Sequence, residues 1–232
     1  MKMAMSRFVV VVLVILMGCD IQPRMGDDSF SRCNSWLPND FAQHFAISRC
    51  NGENVLYLLN PTNTMDTLAV FRAGSDSILP ELASISTTHI PVIRSVKGTD
   101  QLVGVGYADY IKDAEIHEKL ESGEIRSISS NDQLNFEVVV DVGPDVLLVY
   151  PYGNENYDRY KKAGINVLPV SEYAESHPLG RAEWIKAFGV LTGNYEEAKE
   201  VFESIKAEYQ HWKNEAMLQS FSPSVFTGSF YK

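Results

Sequence analysis

The sequence has 232 residues, and 45% of them are hydrophobic, which is enough for a sizeable buried core and too much for a chain that stays disordered. Its 20 basic and 30 acidic side chains leave a formal net charge of -10. Such a chain offers no basic surface to a phosphate backbone, and we therefore exclude nucleic acid as a partner.

The N-terminus has the pattern of an export signal. Lys2 and Arg7 precede an apolar run over residues 8–17, about half the roughly 20 residues that a transmembrane helix needs. The run ends in Leu-Met-Gly before Cys19, which resembles the lipobox of bacterial lipoproteins, whose cysteine is acylated. We predict a signal peptide over residues 1–19, a lipid membrane as partner through Cys19, and a periplasmic or cell-surface location. A plain secretory signal with an incidental cysteine is the alternative.

Two cysteines remain once Cys19 is lipidated. Cys33 and Cys50 could form a disulfide in an oxidising exterior, and two free thiols are equally consistent with the sequence. Neither has a second cysteine or a histidine at a spacing typical of metal ligands. The pattern predicts no metal site there.

Residues 20–80 are predicted to form a polar tether followed by a small β extension. The apolar segments 45–47 and 55–59 flank Asn51-Gly52, a pair that tolerates the positive φ angles of a type I′ turn and so predicts a hairpin. A further strand is expected over residues 68–71.

Residues 81–192 alternate short apolar runs with helical stretches, which predicts an α/β lobe with a central parallel sheet. Glycine after a helix suits the left-handed residue that ends it. Strands are expected at 82–86, 101–105, 146–150 and 165–170, and helices at 90–97, 113–122, 135–142 and 154–163, followed by Gly98, Gly123, Gly143 and Gly164. Ligands of such sheets bind beyond the carboxyl ends of the strands.

The last third is predicted to be helical. Pro178 begins one helix that reaches Leu191. Asn194 and Glu197 suggest a capping box for a long connecting helix within residues 193–220, whose apolar side chains recur every three or four residues from Ala198 to Ala216. Residues 221–232 look like the start of a truncated second lobe, because the lone strand expected at 224–227 cannot bury its own faces.

Several segments together resemble the class of ABC-importer solute-binding proteins that includes binders of ferric siderophores, haem and cobalamin. Gly-Pro-Asp before Val146, Asn-Phe-Glu at 135–137, Ser-Thr-Thr-His at 86–89, Val-Gly-Val at 103–105 and the segment 177–184 are similar to motifs of that family. The resemblance covers roughly residues 80–230. It implies a Rossmann-like lobe with a long connecting helix, an ABC permease as partner, a metal chelate as ligand and no cofactor.

Candidate ligand-binding residues follow three predicted strands. Thr87, Thr88 and His89 end the first strand, where hydroxyl and N–H groups at a helix start suit anionic or carbonyl-bearing ligands; alternatively, the threonines only cap the helix and His89 fills its first turn. Four tyrosines after two other strands form an aromatic wall suited to large, flat chelates, although each taken singly is more often structural: Tyr107, Tyr110, Tyr150 and Tyr152.

Glu155 begins the helix predicted after Tyr152. An acidic residue there stabilises the helix dipole, and the resemblance implies a second role, because cobalamin binders of this class dock a glutamate of each lobe against permease arginines. Trp184, by its helical spacing from Phe188, is predicted to be a core residue. Glu172 and Glu175 could form a carboxylate pair, but a solvated loop is the commoner explanation.

Two other functions compete with transport of a chelate. An α/β enzyme is disfavoured, because Gly104-Val105-Gly106 lacks the third glycine of a dinucleotide fingerprint and the sequence contains no nucleophile elbow, Walker loop or zincin motif. A binder of free zinc or manganese would use His89 as one ligand, yet the other histidines show no metal-ligand spacing. We therefore predict a solute-binding protein and not an enzyme.

Overall fold

The computed structural model describes residues 33–72, 79–130, 133–151, 157–221 and 223–224. The described residues all belong to one compact unit. The predictions for residues 1–28, Tyr152, Glu155 and 225–227 lie outside the described residues.

Four antiparallel strands form the N-terminal sheet in the order β1-β2-β3-β4: β1 Cys33–Leu37, β2 Phe45–Cys50, β3 Glu53–Asn60 and β4 Asn63–Arg72. The hairpin between β2 and β3 is confirmed, since Asn51 and Gly52 have φ angles of 53° and 89°, the signs that a type I′ turn requires. Strand β1 was not predicted, because its five residues show no alternation of apolar and polar side chains and become a strand by pairing with β2.

The cysteines meet in this sheet. The register of β1 and β2 places Cys33 opposite Cys50, and Cys50 is disulfide-bonded. The alternative of a free thiol at Cys50 is therefore wrong.

The second sheet has five parallel strands in the order β11-β10-β5-β6-β7, which confirms the predicted α/β class with a central parallel sheet. Every residue of β10 is buried, as expected for a strand with a neighbour on each side. A small hairpin of β8 and β9 follows β7. The strands are β5 Leu82–Ser84, β6 Leu102–Val105, β7 Arg126–Ser127, β8 Ser129–Ser130, β9 Gln133–Leu134, β10 Val146–Val149 and β11 Asn166–Pro169.

Four short helices connect these strands: α1 His89–Ser95, α2 Ala114–Ser122, α3 Phe136–Val142 and α4 Asp158–Lys162. The predicted helix ends are confirmed at Gly123, Gly143 and Gly164, whose φ angles are positive. The expectation for Gly98 is wrong, because Lys97 takes the positive φ instead. Gly98 is needed for space, since a Cβ there would lie 2.4 Å from Cγ2 of Thr192.

The C-terminal helices are α5 Pro178–Glu183, α6 Ile185–Leu191 and α7 Tyr195–Met217. The single helix predicted from Pro178 to Leu191 is interrupted at Trp184, whose N–H bonds to Arg181 O, three residues back. The capping box is also wrong, because the Asn194 amide donates to the Val96 and Thr192 carbonyls and caps nothing. The long helix itself is confirmed. No helix in the described ranges has both the length and the apolar character needed to cross a membrane.

A loop over residues 40–44 connects β1 with β2 and ties the N-terminal sheet to α5. Its five consecutive N–H groups donate to two buried carboxylates: those of residues 40–42 to Glu183 at 2.7–2.8 Å, and those of residues 43 and 44 to Glu175 at 3.0–3.1 Å. Apolar side chains of β2, β3 and β4 also join the core cluster that fills one side of the parallel sheet. Sheet and lobe therefore share one core.

Candidate functional site

Three strands of the parallel sheet end beside one another and present polar and aromatic residues at one edge. Ser86, Tyr107 and Tyr150 follow β5, β6 and β10, which are adjacent in the sheet. Tyr107 has φ 52° and ψ 45°, a left-handed conformation that is uncommon outside glycine and often found at functional sites. Its N–H donates to Ser129 Oγ at 2.7 Å, which fixes this turn.

A cavity of about 210 Å³ opens at this edge, with lining residues Ile85, Gly106, Tyr107, Ser129, Leu134, Tyr150 and Tyr157. The end of β6 lies so close to the end of β5 that a Cβ on Gly106 would be 3.0 Å from the Ile85 backbone. Glycine at 106 therefore lets β6 end against β5 and leaves the cavity open. A second cavity, of about 390 Å³, is lined by Thr87, Ile90, Pro91, Tyr110, Ile111, Lys112 and Asp113.

A continuous chain of hydroxyl groups begins at Tyr150, in the wall of the first cavity. The Tyr150 hydroxyl lies 2.6 Å from Ser86 Oγ, and Ser86 Oγ lies 2.7 Å from Thr88 Oγ1. Thr88 Oγ1 donates to Glu172 Oε1 at 3.2 Å. These hydroxyl groups therefore connect the loop after β10, the loop after β5 and the segment after β11.

His89 lies beneath this chain and is 1% exposed. Its Nδ1 is 2.8 Å from Ser84 Oγ, and its Nε2 faces Glu172 Oε1 at 3.8 Å, too far for a hydrogen bond. Burial alone would raise the pKa of Glu172, but His89 and the Thr88 hydroxyl outweigh it and hold that pKa below its ordinary value. Glu172 is therefore a carboxylate near neutral pH.

The structure brings most of the predicted ligand-binding residues together. Thr88, His89 and Tyr150 belong to one network, and Tyr107 and Tyr150 line one cavity. Thr87 and Tyr110 line the second cavity, although the Tyr107 and Tyr110 rings are only 6.5 Å apart. The alternative is wrong for Thr88, whose side chain makes no capping hydrogen bond, and confirmed for His89, which begins α1 and is buried.

Sequence reasoning missed Ser84, Ser86 and Ser129. The one available signal was the pair of serines in a strand that is otherwise apolar, since a buried hydroxyl needs a partner. The suggested pairing of Glu172 with Glu175 is wrong, because Glu172 faces Thr88 and His89 while Glu175 binds the 40–44 loop. The solvated-loop explanation fails for Glu175, which is 2% exposed.

Trp184 is 2% exposed, which confirms that it is a core residue. Its indole N–H donates to Glu175 Oε1 at 3.0 Å. In the described part of the chain, no group of three or more histidine, cysteine, aspartate or glutamate side chains is arranged to hold a metal ion.

Comparison with known proteins gives a family match and several relatives. Residues 82–231 match the sequence profile of a family described as periplasmic binding protein. An uncharacterized lipoprotein of Methanocaldococcus jannaschii is 36% identical over 117 residues, which are 50% of this chain and 27% of that protein. A second protein of the same organism is 25% identical over 135 residues, 56% of this chain and 40% of that one.

Two solved structures share the fold. A periplasmic binding protein from Veillonella parvula has a TM-score of 0.54 at 12% identity and covers 74% of this chain and 55% of its own. The siderophore-binding protein BauB, bound to two acinetobactin molecules and ferric iron, has a TM-score of 0.53 at 14% identity. The match covers 66% of this chain and 53% of BauB. The chain thus spans about half the length of these two proteins and less of the two relatives above.

Proposed function

The chain belongs to the periplasmic binding protein family, and on that premise we propose that it is a lipoprotein outside the cytoplasm that delivers a metal chelate to an ABC importer. The chelate would be a ferric siderophore, haem or cobalamin. Members of this family bind solutes, so the prediction that the chain is not an enzyme is confirmed.

The observation that carries the proposal is the cavity beyond β5, β6 and β10. Two tyrosines from separate strand ends, Tyr107 and Tyr150, share its wall with Tyr157 and with the apolar residues Ile85 and Leu134. Aromatic faces with polar tips suit a large ligand that is partly apolar and partly polar. The position is also the one where open α/β sheets bind their ligands.

The nature of one relative supports a chelate as the ligand. BauB, which has the same fold, is described as a siderophore-binding protein with ferric iron bound. Cavity and relative together favour a chelate over a free metal ion, because aromatic walls offer no ligand atoms to a bare ion.

Calorimetric titration with ferrioxamine B, haemin and cyanocobalamin tests the proposal. We expect saturable binding of at least one of them, weakened about tenfold or more by Tyr150→Ala because the aromatic wall is lost. Trp36→Ala is the matched control, since Trp36 is 62% exposed and lies in the N-terminal sheet. Binding of none of the three by the full-length protein would refute the proposal.

Lipidation of Cys19 and anchoring in a membrane belong to the same proposal. The lipobox-like sequence before Cys19 supports it, and so does the relative that is named a lipoprotein. Cys19→Ser should move the protein from the detergent phase to the aqueous phase when cells are extracted. An unchanged distribution would argue against the anchor.

Docking to a permease through Glu155 is the remaining part. A glutamate that faces an arginine contributes attraction, and charge reversal turns this into repulsion. Glu155→Arg should therefore lower uptake by cells while the chelate affinity in solution stays the same. Unimpaired uptake would leave Glu155 with the helix-dipole role alone.

A further inference from the structure

We propose that the hydroxyl chain from Tyr150 to Glu172 is a one-way hydrogen-bond relay that makes this part of the site a subsite for hydrogen-bond donors of the ligand, such as ammonium, amide N–H or hydroxyl groups. This inference rests on the proposed function and specifies which chemical group of the chelate is recognised there.

The direction of the relay follows from counting protons. A hydroxyl group has one proton to donate, and a carboxylate has none. Because Glu172 is ionised, the Thr88 proton must lie in the 3.2 Å contact with Glu172 Oε1. Ser86 must then donate to Thr88 across 2.7 Å, since the Thr88 proton is already used.

The same count fixes the direction of the hydrogen bond between Tyr150 and Ser86. The Ser86 proton is used toward Thr88, so the Tyr150 hydroxyl must donate to Ser86 Oγ across their 2.6 Å contact. Ser86 Oγ also accepts the Thr88 N–H at 3.2 Å, which occupies its second lone pair. Ser86 is therefore saturated, and Tyr150 and Thr88 retain only lone pairs.

His89 keeps Glu172 in its role as the end of the relay. When Ser84 gives its proton to His89 Nδ1 across 2.8 Å, the ring proton sits on Nε2, which faces Glu172 Oε1 at 3.8 Å. Glu172 Oε2 has no hydrogen-bond partner among the described residues, which adds unneutralised negative character beside the relay.

The relay determines whether a hydrogen-bond donor or an anion of the ligand is bound here. Thr88 is exposed and Tyr150 is half-buried in the cavity wall, so both are within reach of a ligand. Each can offer an oxygen lone pair, and neither has a proton left to offer. A carboxylate or phosphate of a ligand would meet lone pairs and a like charge, whereas an ammonium or N–H group would be bound. This reverses the expectation that the threonines serve an anionic ligand.

A ligand-free measurement tests the relay itself. The intensity ratio of the tyrosine ring doublet in the Raman spectrum distinguishes a phenol that donates from one that accepts. The difference between the parent chain and Tyr150→Phe should report a donating Tyr150. Thr88→Val, which removes one hydroxyl at nearly constant shape, should weaken that signature, and Thr67→Val on the exposed part of β4 should not. An accepting Tyr150, or a signature that Thr88→Val leaves unchanged, would overturn the relay.

A pair of matched probes tests the subsite. Ferrioxamine B ends in an ammonium group, and its N-succinyl derivative ends in a carboxylate on the same ferric chelate; cyanocobalamin and its monocarboxylic acid differ by one amide. We expect the donor-bearing member of a pair to bind about tenfold more tightly, and Thr88→Val to remove most of that preference.

The outcomes separate the inference from the function on which it rests. Equal binding of both members of a pair would refute the subsite and leave chelate binding intact. Binding of neither pair by a chain whose Raman signature shows the relay would refute the proposed function, and the subsite would fall with it.

Discussion

At the scale of single residues, Glu183 is the side chain on which the contact between loop and lobe depends most. It is fully buried, accepts three backbone N–H groups of residues 40–42, and pairs with Lys186 Nζ at 2.7 Å. Lys186 in turn lies 4.4 Å from the centre of the Phe202 ring. The carboxylate is therefore satisfied on every side, as a buried charge must be.

Glu183→Gln should destabilise the chain by about 3 kcal/mol, because it leaves Lys186 charged and buried and replaces an acceptor oxygen by a donor NH₂ facing backbone N–H groups. Urea denaturation at pH 7 measures the change. Glu200→Gln, on the exposed face of α7, should change the free energy of unfolding by less than about 0.5 kcal/mol. Equal effects of the two substitutions would show that the buried pair is dispensable.

At the scale of secondary-structure elements, α7 is amphipathic over its length but is covered only near its start. Ala198 and Phe202 are fully buried, whereas Ile205 is 39% exposed and Trp212 is 62% exposed. The apolar spacing predicted one stripe facing the core. The described residues of the lobe cover only the first part of that stripe.

Phe202→Ala should therefore lower the free energy of unfolding by about 3–5 kcal/mol, the cost of an aromatic cavity in a packed core. Trp212→Ala on the same helix should lower it by less than about 0.5 kcal/mol. Thermal or urea unfolding followed by circular dichroism suits both variants. A large loss from Trp212→Ala would mean that this side chain is covered in solution.

At the scale of the whole molecule, carboxyl groups in three different regions stabilise the fold when they are ionised. The hydrogen bond from Lys206 holds the pKa of Asp40 low. Burial works against a low pKa at Asp113, but the N–H groups of α2 and the Arg94 guanidinium outweigh it. The pKa of Glu172 is lowered beside His89 and Thr88. Each folded pKa lies below the unfolded one, so their contribution is present above the unfolded values and is lost as the pH falls through the folded ones.

The chain should therefore lose stability as the pH is lowered below about 4.5, near the unfolded pKa of a glutamate. Glu172→Gln should flatten this loss, because one of the linked protons is no longer taken up on unfolding. Urea midpoints between pH 7 and pH 3 measure the slope. Glu208→Gln, exposed on α7, should keep the parent slope, and a parent slope in Glu172→Gln would remove Glu172 from this linkage.

The sequence by itself determined the main strands and helices of the α/β lobe in their order, the Asn51-Gly52 hairpin and the α/β class. These follow from patterns within a few residues: apolar runs, a turn pair with positive φ angles, and glycines after helices. The similarity of residues 80–230 to solute-binding proteins was visible for the same reason, because its motifs are local and occur in the family's order.

Only the tertiary structure decided which side chains meet. Glu172 is 84 residues from Thr88, and Glu183 is 143 residues from the Asp40 N–H that it binds; no spacing in the sequence connects them. The left-handed residue at Lys97 and the interruption at Trp184 likewise depend on what packs against them. A carboxylate in a loop is expected to be solvated until another element removes its water and supplies donors, and that contribution comes from the fold.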